Sequence, residues 1–273
     1  MNGLSFSVLI CVYMNDDPGH FDGALSSILH QTRKPDEVIM VVDGAIPEAI
    51  GEVIGKYEAM PFFKVIRLAR NSGHGNARRT GLEHCSNELV ALMDADDISV
   101  PERFEKQLKC FEDDRSLSIV GGYIKEFIHD TDTVVGVREV PENNAEIAEY
   151  IKKRCPFNQV TVMFKKSDVE AAGGYVDWYC EEDYYLWVRM FQKSMKFVNI
   201  AENLVFVRAG EEMYRRRGGW RYFRSEARLQ KYMLDRGITD VFTFIVNVAL
   251  RFILQVLMPN GLRGFVFKKF ARK

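Results

Sequence analysis

Residues 89–97 read LVALMDADD, an apolar run of strand length that ends in three carboxylates within four residues. Short apolar, β-branched runs also occur at residues 6–12, 37–42 and 63–68. Continuous apolar runs of this length are typical of strands that are covered on both faces. The four runs therefore predict a buried, mainly parallel sheet with carboxylates at one edge.

The segments between these runs have helical spacing. Residues 21–31, 47–57 and 75–85 repeat their apolar side chains every three or four positions, as amphipathic helices do. The alternation of strands and helices predicts an α/β, doubly wound arrangement in which helices flank the sheet. In such sheets, ligands bind outside the carboxyl ends of the strands.

The pattern is less regular after Pro101, which suits the first turn of a helix that runs to about Phe111. The other predicted elements are strands at residues 119–127, 134–139, 160–164 and 197–207 and helices at residues 145–153 and 182–192. We therefore predict one domain with a mixed sheet over residues 1–207, followed by a helical, basic region over residues 208–273.

The composition fits a folded protein of a reducing compartment. The chain has 273 residues, of which 47% are hydrophobic and 12% aromatic, enough for a sizeable core. Its five cysteines are scattered, without a CxxC pair that would indicate a zinc site. The apolar N-terminal run lacks a basic leader and a cleavage site, so it reads as a strand and not as a signal peptide. These features favour a cytoplasmic location.

Charge is distributed unevenly along the chain. Residues 208–273 carry fifteen Lys and Arg against five Asp and Glu, a net charge of +10, whereas the first 207 residues carry −11. A basic C-terminal region favours an anionic surface or a phosphate-bearing partner, and a solvated basic helix face is the alternative. The acidic first part and the lack of a recognition motif argue against nucleic acid as a partner.

The carboxylates after the fourth apolar run indicate a metal site. Asp94, Asp96 and Asp97 repel one another at a strand end, and a divalent cation that also binds phosphate oxygens relieves this repulsion. A metal–diphosphate site is one interpretation, and capping of the following helix is the other.

Another acid follows the second apolar run, where residues 41–44 read VVDG. Ionised Asp43 can accept but not donate a hydrogen bond, which suits the N3–H of uracil or thymine and disfavours cytosine. The N1–H of guanine remains possible. A turn formed by Asp43 and Gly44 is the alternative.

Residues 70–79 read RNSGHGNARR and open a predicted helix. Glycines allow close approach of a ligand to the backbone, and free amides at a helix N-terminus attract phosphate. A helix cap explains the same residues.

Residues 180–187 read CEEDYYLW, three acids at the start of an aromatic, amphipathic helix. The helix dipole favours acids at this end without any further role. A carboxylate in a cleft can also deprotonate an attacking hydroxyl group, and we assign that base role to Asp183.

Together, the runs at residues 41–44, 92–97, 182–187 and 207–210 resemble the family 2 glycosyltransferases. Within that family they are similar to bacterial exopolysaccharide, capsule and lipopolysaccharide transferases of the amylovoran type. The resemblance covers roughly residues 5–235. It implies a GT-A, Rossmann-like fold and transfer of a sugar from a nucleotide-diphosphate donor with inversion at the anomeric carbon.

The resemblance also implies roles for parts of the chain. It divides the domain into a nucleotide-binding half, residues 1–100, and an acceptor half, residues 101–207. It makes Asp96 the ligand of Mn²⁺ or Mg²⁺ and Asp183 the catalytic base. The implied donor-binding residues are Val12, Tyr13, Asp43, Asn71, Gly73, Arg78, Asp94 and Ala95. We assign contacts with the diphosphate or the acceptor to Glu182, Trp187, Arg215, Arg216 and Arg217.

The C-terminal region contains an apolar stretch over residues 241–258. Its polar members, which recur every four residues and form one stripe on a helix, are Thr243, Asn247, Arg251 and Gln255. The stretch is barely long enough to span a membrane, and an arginine near its middle would be costly in hydrocarbon. With the basic, aromatic tail that follows, it favours a helix in the plane of an anionic membrane. Docking on the catalytic domain or on a second subunit is the alternative.

The sequence thus predicts an inverting glycosyltransferase of bacterial surface polysaccharide biosynthesis. It would move one sugar from a nucleotide-sugar donor, with UDP favoured, to a hydroxyl of a lipid-linked or core oligosaccharide. We expect it in the cytoplasm, attached to the inner face of the plasma membrane. An inactive nucleotide-sugar-binding module is the alternative. A nucleotidyltransferase is disfavoured, because the loop at residues 11–17 is acidic and lacks glycine.

Overall fold

The strands of the nucleotide-binding half form where the apolar runs predict them. The computed structural model describes residues 3–210 and 218–259. Within these ranges the strands are β1 (Phe6–Val12), β2 (Glu37–Val42), β3 (Phe63–Arg67), β4 (Leu89–Met93), β5 (Ile98–Ser99), β6 (Leu117–Phe127), β7 (Val134–Arg138), β8 (Met163–Lys165) and β9 (Lys196–Arg208).

These strands form one mixed sheet that joins the two halves of the chain. Its order is β3-β2-β1-β4-β8-β6-β9-β5, and β7 pairs with β6. Strands β3, β2, β1 and β4 run parallel to one another, as do β6 and β9. The remaining pairs, which involve β5, β7 and β8, are antiparallel. The predicted mixed α/β sheet is confirmed.

Helices cover the sheet. They are α1 (Pro18–Leu29), α2 (Glu48–Glu58), α3 (His74–His84), α4 (Arg103–Asp113), α5 (Asn144–Tyr150), α6 (Lys166–Ala171), α7 (Glu182–Gln192), α8 (Trp220–Asp235) and α9 (Val241–Phe252). A π-helical turn, Ile253–Leu257, continues α9. The helix predicted at residues 182–192 has these bounds in the structure. For the other helices, most observed ends differ from the predicted ends by one to three residues.

Two elements differ from the prediction. The run at residues 160–164 is not one strand, because Gln159–Thr161 form a 3₁₀ turn before β8. The buried hydroxyl of Thr161 donates to the carbonyl of Asn158 at 2.7 Å, and this local bond holds the turn. Strand β5 was not predicted, since two residues are too short to show a periodic pattern.

The two faces of the sheet carry separate cores. Alternate residues of β1 belong to opposite clusters, Ile10 with Phe104 on one face and Leu9 with Trp187 on the other. Helix α3 lies unusually close to the second face, because a Cβ at Gly81 would be 2.2 Å from Cδ1 of Leu9. This packing carries the side chains of α3 to the edge of the sheet where β1, β2 and β4 end.

The C-terminal helices pack against the acceptor half. Leu229 and Met233 of α8 belong to the second core cluster. From α9, Asn247 Nδ2 donates to the carbonyl of Lys152 at 3.0 Å, and Arg251 Nη2 donates to the carbonyl of Lys153 at 2.8 Å. The polar stripe of α9 therefore faces the protein.

The opposite side of α9 is apolar and exposed. Phe242 is 76% exposed, Ile245 57% and Leu250 53%. In contrast to an ordinary surface helix, α9 directs its polar side chains toward the protein and its apolar side chains toward solvent. No helix in the described ranges is long and apolar enough to cross a membrane.

Candidate active site

Asp43 connects the end of β2 to the start of α3. Its Oδ1 accepts hydrogen bonds from the backbone N and the Oγ of Ser72 at 2.7 and 2.9 Å, and its Oδ2 accepts from the N of Gly73 at 3.1 Å. Gly44 has a φ of +90°, and a Cβ there would lie 2.5 Å from the backbone N of Asn71. The turn after β2 therefore needs glycine, and Asp43 holds residues 71–73 in place.

The end of β1 lies beside this turn. The carbonyl of Val12 accepts a hydrogen bond from the N of Asp43 at 2.8 Å. The N of Tyr13 donates to Oδ2 of Asp16 at 2.8 Å, which closes the loop after β1. The structure thus brings Val12, Tyr13, Asp43, Asn71 and Gly73 to one edge of the sheet, as the sequence predicts for a ligand site.

Arg78 of α3 reaches from this edge to the acids of two other elements. Its side chain is buried. Nη2 donates to Oδ1 of Asp94 at 2.8 Å, and Nη1 lies 3.6 Å from Oε1 of Glu182. Although burial opposes the charge, Asp94 and Glu182 hold the pKa of the guanidinium above its ordinary value. Arg78 thus links the end of β4 to the start of α7 as a fixed cation.

The acids after β4 differ in exposure. Asp94 is half-buried, Ala95 and Asp97 are buried, and Asp96 is exposed. Burial, together with the charges of Asp96 and Asp94, raises the pKa of Asp97 well above its ordinary value. Oδ1 of Asp97 accepts from the N of Arg208 at 2.8 Å, which ties this turn to the end of β9.

The buried side chain of Arg103 holds the end of β4, just before the turn at residues 94–97. Arg103 of α4 is fully buried, and its Nη2 donates to the carbonyl of Leu92 at 2.8 Å. Burial lowers the pKa of Arg103 to about 9, while the nearby charges of Asp94 and Asp97 favour the charged form. The apolar–charged pattern of α4 does not reveal this role, so it could not be predicted from the sequence.

The described ranges contain no group of three or more His, Cys, Asp or Glu that could hold a metal ion by itself. Divalent cations such as Mg²⁺ are commonly bound through one or two carboxylates plus the phosphates of a substrate. Exposed Asp96 beside half-buried Asp94 fits this second arrangement, because the missing ligands would come from a diphosphate.

The start of α7 provides two acids of raised proton affinity. Burial and the neighbouring Asp183 raise the pKa of Glu182 to about 7. Burial also raises the pKa of Asp183, although Arg78 and the N of Tyr184, which donates to Oδ1 at 2.7 Å, oppose the shift. A carboxylate whose pKa is raised toward neutrality is suited to accept a proton from a hydroxyl group.

One cavity of about 1050 Å³ joins these elements. Asp94 and Asp97 line it from β4, Glu182 and Asp183 from α7, and His74 from α3. His74 Nδ1 lies 3.5 Å from Oε1 of Glu182. The cavity thus brings Asp94 and Asp97 to the same space as the predicted base, Asp183, whereas Asp96, the predicted metal ligand, is not among its lining residues.

The described structure does not place Trp187 or the three arginines at residues 215–217 in the cavity wall. Trp187 is fully buried and packs edge-on against Phe157 and Tyr175, so the prediction that it contacts the diphosphate or the acceptor is wrong. Its aromatic ring completes the core behind the cavity. Arg215, Arg216 and Arg217 lie outside the described residues.

The cavity also has walls that the sequence analysis did not identify. Residues 153–155 line it, as do residues of α9 such as Phe242 and Leu250. The basic run Lys152-Lys153-Arg154 is the one feature of the local sequence that could have indicated a binding role for this segment. The position of Lys153 and Arg154 in the wall of the same cavity as Asp183 depends on contacts between distant segments.

Comparison with known proteins agrees with this geometry. The model of the family described as Glycosyl transferase family 2 matches residues 7–169. A UDP-Gal:alpha-D-GlcNAc-diphosphoundecaprenol beta-1,3-galactosyltransferase of Escherichia coli is 34% identical, over 98% of this chain and 97% of its own length. The amylovoran biosynthesis glycosyltransferase AmsE of Erwinia amylovora is 33% identical, over 97% of this chain and 98% of its own.

Solved structures share the fold. TarS of S. aureus in complex with UDP-GlcNAc superposes with a TM-score of 0.66 at 16% identity, covering 92% of this chain and 73% of that one. A mannosyltransferase from Pyrobaculum calidifontis, in complex with GDP-Man and Mn²⁺, superposes with a TM-score of 0.64 at 14% identity, covering 96% and 72%. The mixed sheet with its flanking helices is therefore the GT-A-like arrangement of these enzymes.

Proposed function

The chain belongs to glycosyl transferase family 2, and from this premise we propose that it transfers one sugar from a UDP-sugar to a hydroxyl of a lipid-linked oligosaccharide, with inversion. The observation that carries the proposal is the single cavity lined by both Asp94 and Asp183, with Arg78 paired to Asp94 and beside Glu182. Donor diphosphate and acceptor hydroxyl can meet only where such groups share one space.

In this reaction Asp183 accepts the proton of the attacking hydroxyl. Burial raises the pKa of Asp183, which favours uptake of a proton, although the charge of the buried Arg78 opposes the shift. A single displacement with one base inverts the anomeric centre. The geometry that supports this step is that Asp183 lines the same cavity as Asp94 and Asp97, which follow β4.

We propose that Asp96, with Asp94, binds Mn²⁺ or Mg²⁺ together with the donor diphosphate. The cation would offset the charge that develops on the leaving nucleoside diphosphate. The exposure of Asp96 supports the assignment, and the Pyrobaculum neighbour is a complex with Mn²⁺.

The donor base would bind at the ends of β1 and β2. Because both carboxylate oxygens of Asp43 accept bonds from Ser72 and Gly73, Asp43 shapes this pocket through residues 71–73 as well as by its own charge. UDP is favoured because the E. coli relative is named for UDP-Gal and TarS is solved with UDP-GlcNAc.

We also propose that the protein acts in the cytoplasm at the inner face of the plasma membrane. In a helix that lies in a bilayer surface, the apolar side chains must face the lipid. The outward apolar side of α9 meets this condition while its polar stripe binds the protein. The basic sequence of residues 261–273 adds attraction to anionic lipid.

A thermal-shift screen with UDP, dTDP, GDP and CDP, each with and without Mn²⁺, tests the donor site, since a ligand that binds only the folded state raises the melting temperature. We expect stabilisation by UDP that requires Mn²⁺ and is lost in Asp96→Ala. The control Asp113→Ala changes an exposed acid paired with Lys109 and should behave as the wild type. No response to any nucleotide would contradict the proposal.

A further inference from the structure

The lining of the cavity includes two groups of side chains. Asp94 and Asp183 belong to the acidic group described above, whereas Phe242, Val246 and Leu250 of α9 form an apolar group. The cavity volume of about 1050 Å³ is at the upper end of the range for pockets that bind drug-sized ligands. The cavity is therefore large enough to hold more than one sugar and the diphosphate of the donor. The apolar group therefore favours contact with a hydrocarbon chain over contact with a sugar.

A basic segment, residues 152–154, lies between the two helices that carry Asp183 and the apolar group, α7 and α9. On one side, Tyr184, the residue after Asp183, donates from its hydroxyl to the carbonyl of Ile151 at 2.5 Å. On the other side, the carbonyls of Lys152 and Lys153 accept the bonds from α9 described above. Residues 151–153 are thus fixed between the start of α7 and the C-terminal helix.

Lys153 and Arg154 both line the cavity at this point. Among residues 3–210 and 218–259, neither side chain has an ion pair with an acid. Two nearby acids do not cancel their charge. Glu226 is paired with Arg251 at 3.1 Å, and burial raises the pKa of Glu181 well above its ordinary value, which favours its neutral form. Arg138 and Glu126 contribute one charge of each sign to the lining.

We propose that Lys153 and Arg154 bind the diphosphate of the acceptor, and that the apolar residues of α9 hold the first part of its lipid chain. The inference rests on the proposed function. A sugar linked to a lipid through a diphosphate presents hydroxyl, phosphates and hydrocarbon in that order, which is the order of Asp183, the basic pair and α9. Arginine forms forked bonds to phosphate oxygens, and lysine adds a point charge.

The binding test uses decyl diphosphate as probe, titrated by calorimetry into the full-length protein. We expect the double variant Lys153→Ala/Arg154→Ala to bind it roughly 10-fold or more weakly than the wild type. Lys152→Ala is the matched control, since this neighbour pairs with Glu149 and does not line the cavity. The conservative variant Lys153→Arg should retain binding.

Equal affinity of the double variant and the wild type would overturn the proposal, as would a wild type that does not bind decyl diphosphate. Lys153 is exposed and Arg154 half-buried, so the double variant should fold, and its melting temperature verifies this. The same titration with decyl glucoside, which lacks phosphate, should give equal affinities for all four proteins.

A transfer assay separates this inference from the proposed function. With UDP-galactose as donor, the acceptors are N-acetylglucosamine carried on decyl diphosphate and the same sugar as a decyl glycoside. The double variant should raise the KM for the diphosphate acceptor and leave the KM for the glycoside unchanged. If the wild type uses neither acceptor and does not release UDP, the proposed function fails for this donor, while the binding test still decides the role of the basic pair.

Discussion

The donor side and the acceptor side of the candidate active site are built in different ways. On the donor side, Asp43 and Asp94 each come directly after a strand of the parallel sheet. On the acceptor side, lining residues within 153–155, 180–184 and 242–255 converge from separate parts of the chain. The topology of the sheet alone sets the first arrangement, whereas the second depends on the packing of α7, α8 and α9. Changes on the donor side should therefore affect every donor-dependent step, and changes on the acceptor side should affect the acceptor alone.

The largest change in stability is expected where the two sides meet. Arg78→Met removes the cation between Asp94 and Glu182 and leaves their charges uncompensated. Loss of one partner of a buried pair costs about 3–5 kcal/mol, and we expect a decrease of that order in the free energy of unfolding measured with urea.

The control for this variant is Arg67→Met. Arg67 pairs with Glu58, and both side chains are about half exposed, so the loss should stay below about 1 kcal/mol. Similar small losses in the two variants would show that Arg78 does not join the two sides.

The raised pKa of Glu182 predicts that the stability of the protein depends on pH. Its pKa is about 7 in the folded protein against an ordinary 4.5, so between these values the folded chain holds a proton that the unfolded chain has lost. The stability that it contributes is therefore complete below about pH 4.5 and is lost as pH rises through 7. Relative to Glu182→Gln, the wild type should lose roughly 3 kcal/mol between pH 4 and 8. Parallel urea-unfolding profiles of the two proteins would contradict this assignment.

The exposed side of α9 should affect membrane binding with little effect on stability. Ile245→Glu/Ile253→Glu places charges on two exposed positions, one on α9 and one on the turn that continues it, and neither residue lines the cavity. We expect at least about a 10-fold weaker partition onto anionic vesicles in a sedimentation assay, with UDP binding unchanged. Val135→Glu, at an exposed position of β7, is the control. Unchanged partition of the double variant would rule out this face of α9 as the membrane contact.

Most of the donor side can be predicted from the sequence. The strands β1, β2 and β4 and the acids that follow them were predicted from local pattern, because buried parallel strands are continuous apolar runs. The bonds between Asp43 and residues 72–73 were not predicted, since they depend on the turn at Gly44.

The acceptor side was predicted only in part. The acids at the start of α7 are visible as a motif, but Trp187 in the same motif belongs to the core, since one side of that amphipathic helix must be buried. The polar stripe of α9 was recognised, yet the sequence did not show that it faces the protein. Which side of a helix meets the protein is decided by its partners, here Lys152 and Gln230, and these are distant in sequence.

The most direct test of the account is sugar transfer by Asp183→Asn, measured as UDP release with UDP-galactose and the diphosphate-linked acceptor, alongside the affinity for UDP with Mn²⁺. We expect a decrease in transfer of roughly 10²–10⁴-fold with UDP affinity unchanged, because Asp183 acts on the acceptor and not on the donor. Asp168→Asn, on the surface helix α6, should match the wild type in both measurements. Transfer by Asp183→Asn within about threefold of the wild type would contradict the assignment of Asp183 as the base.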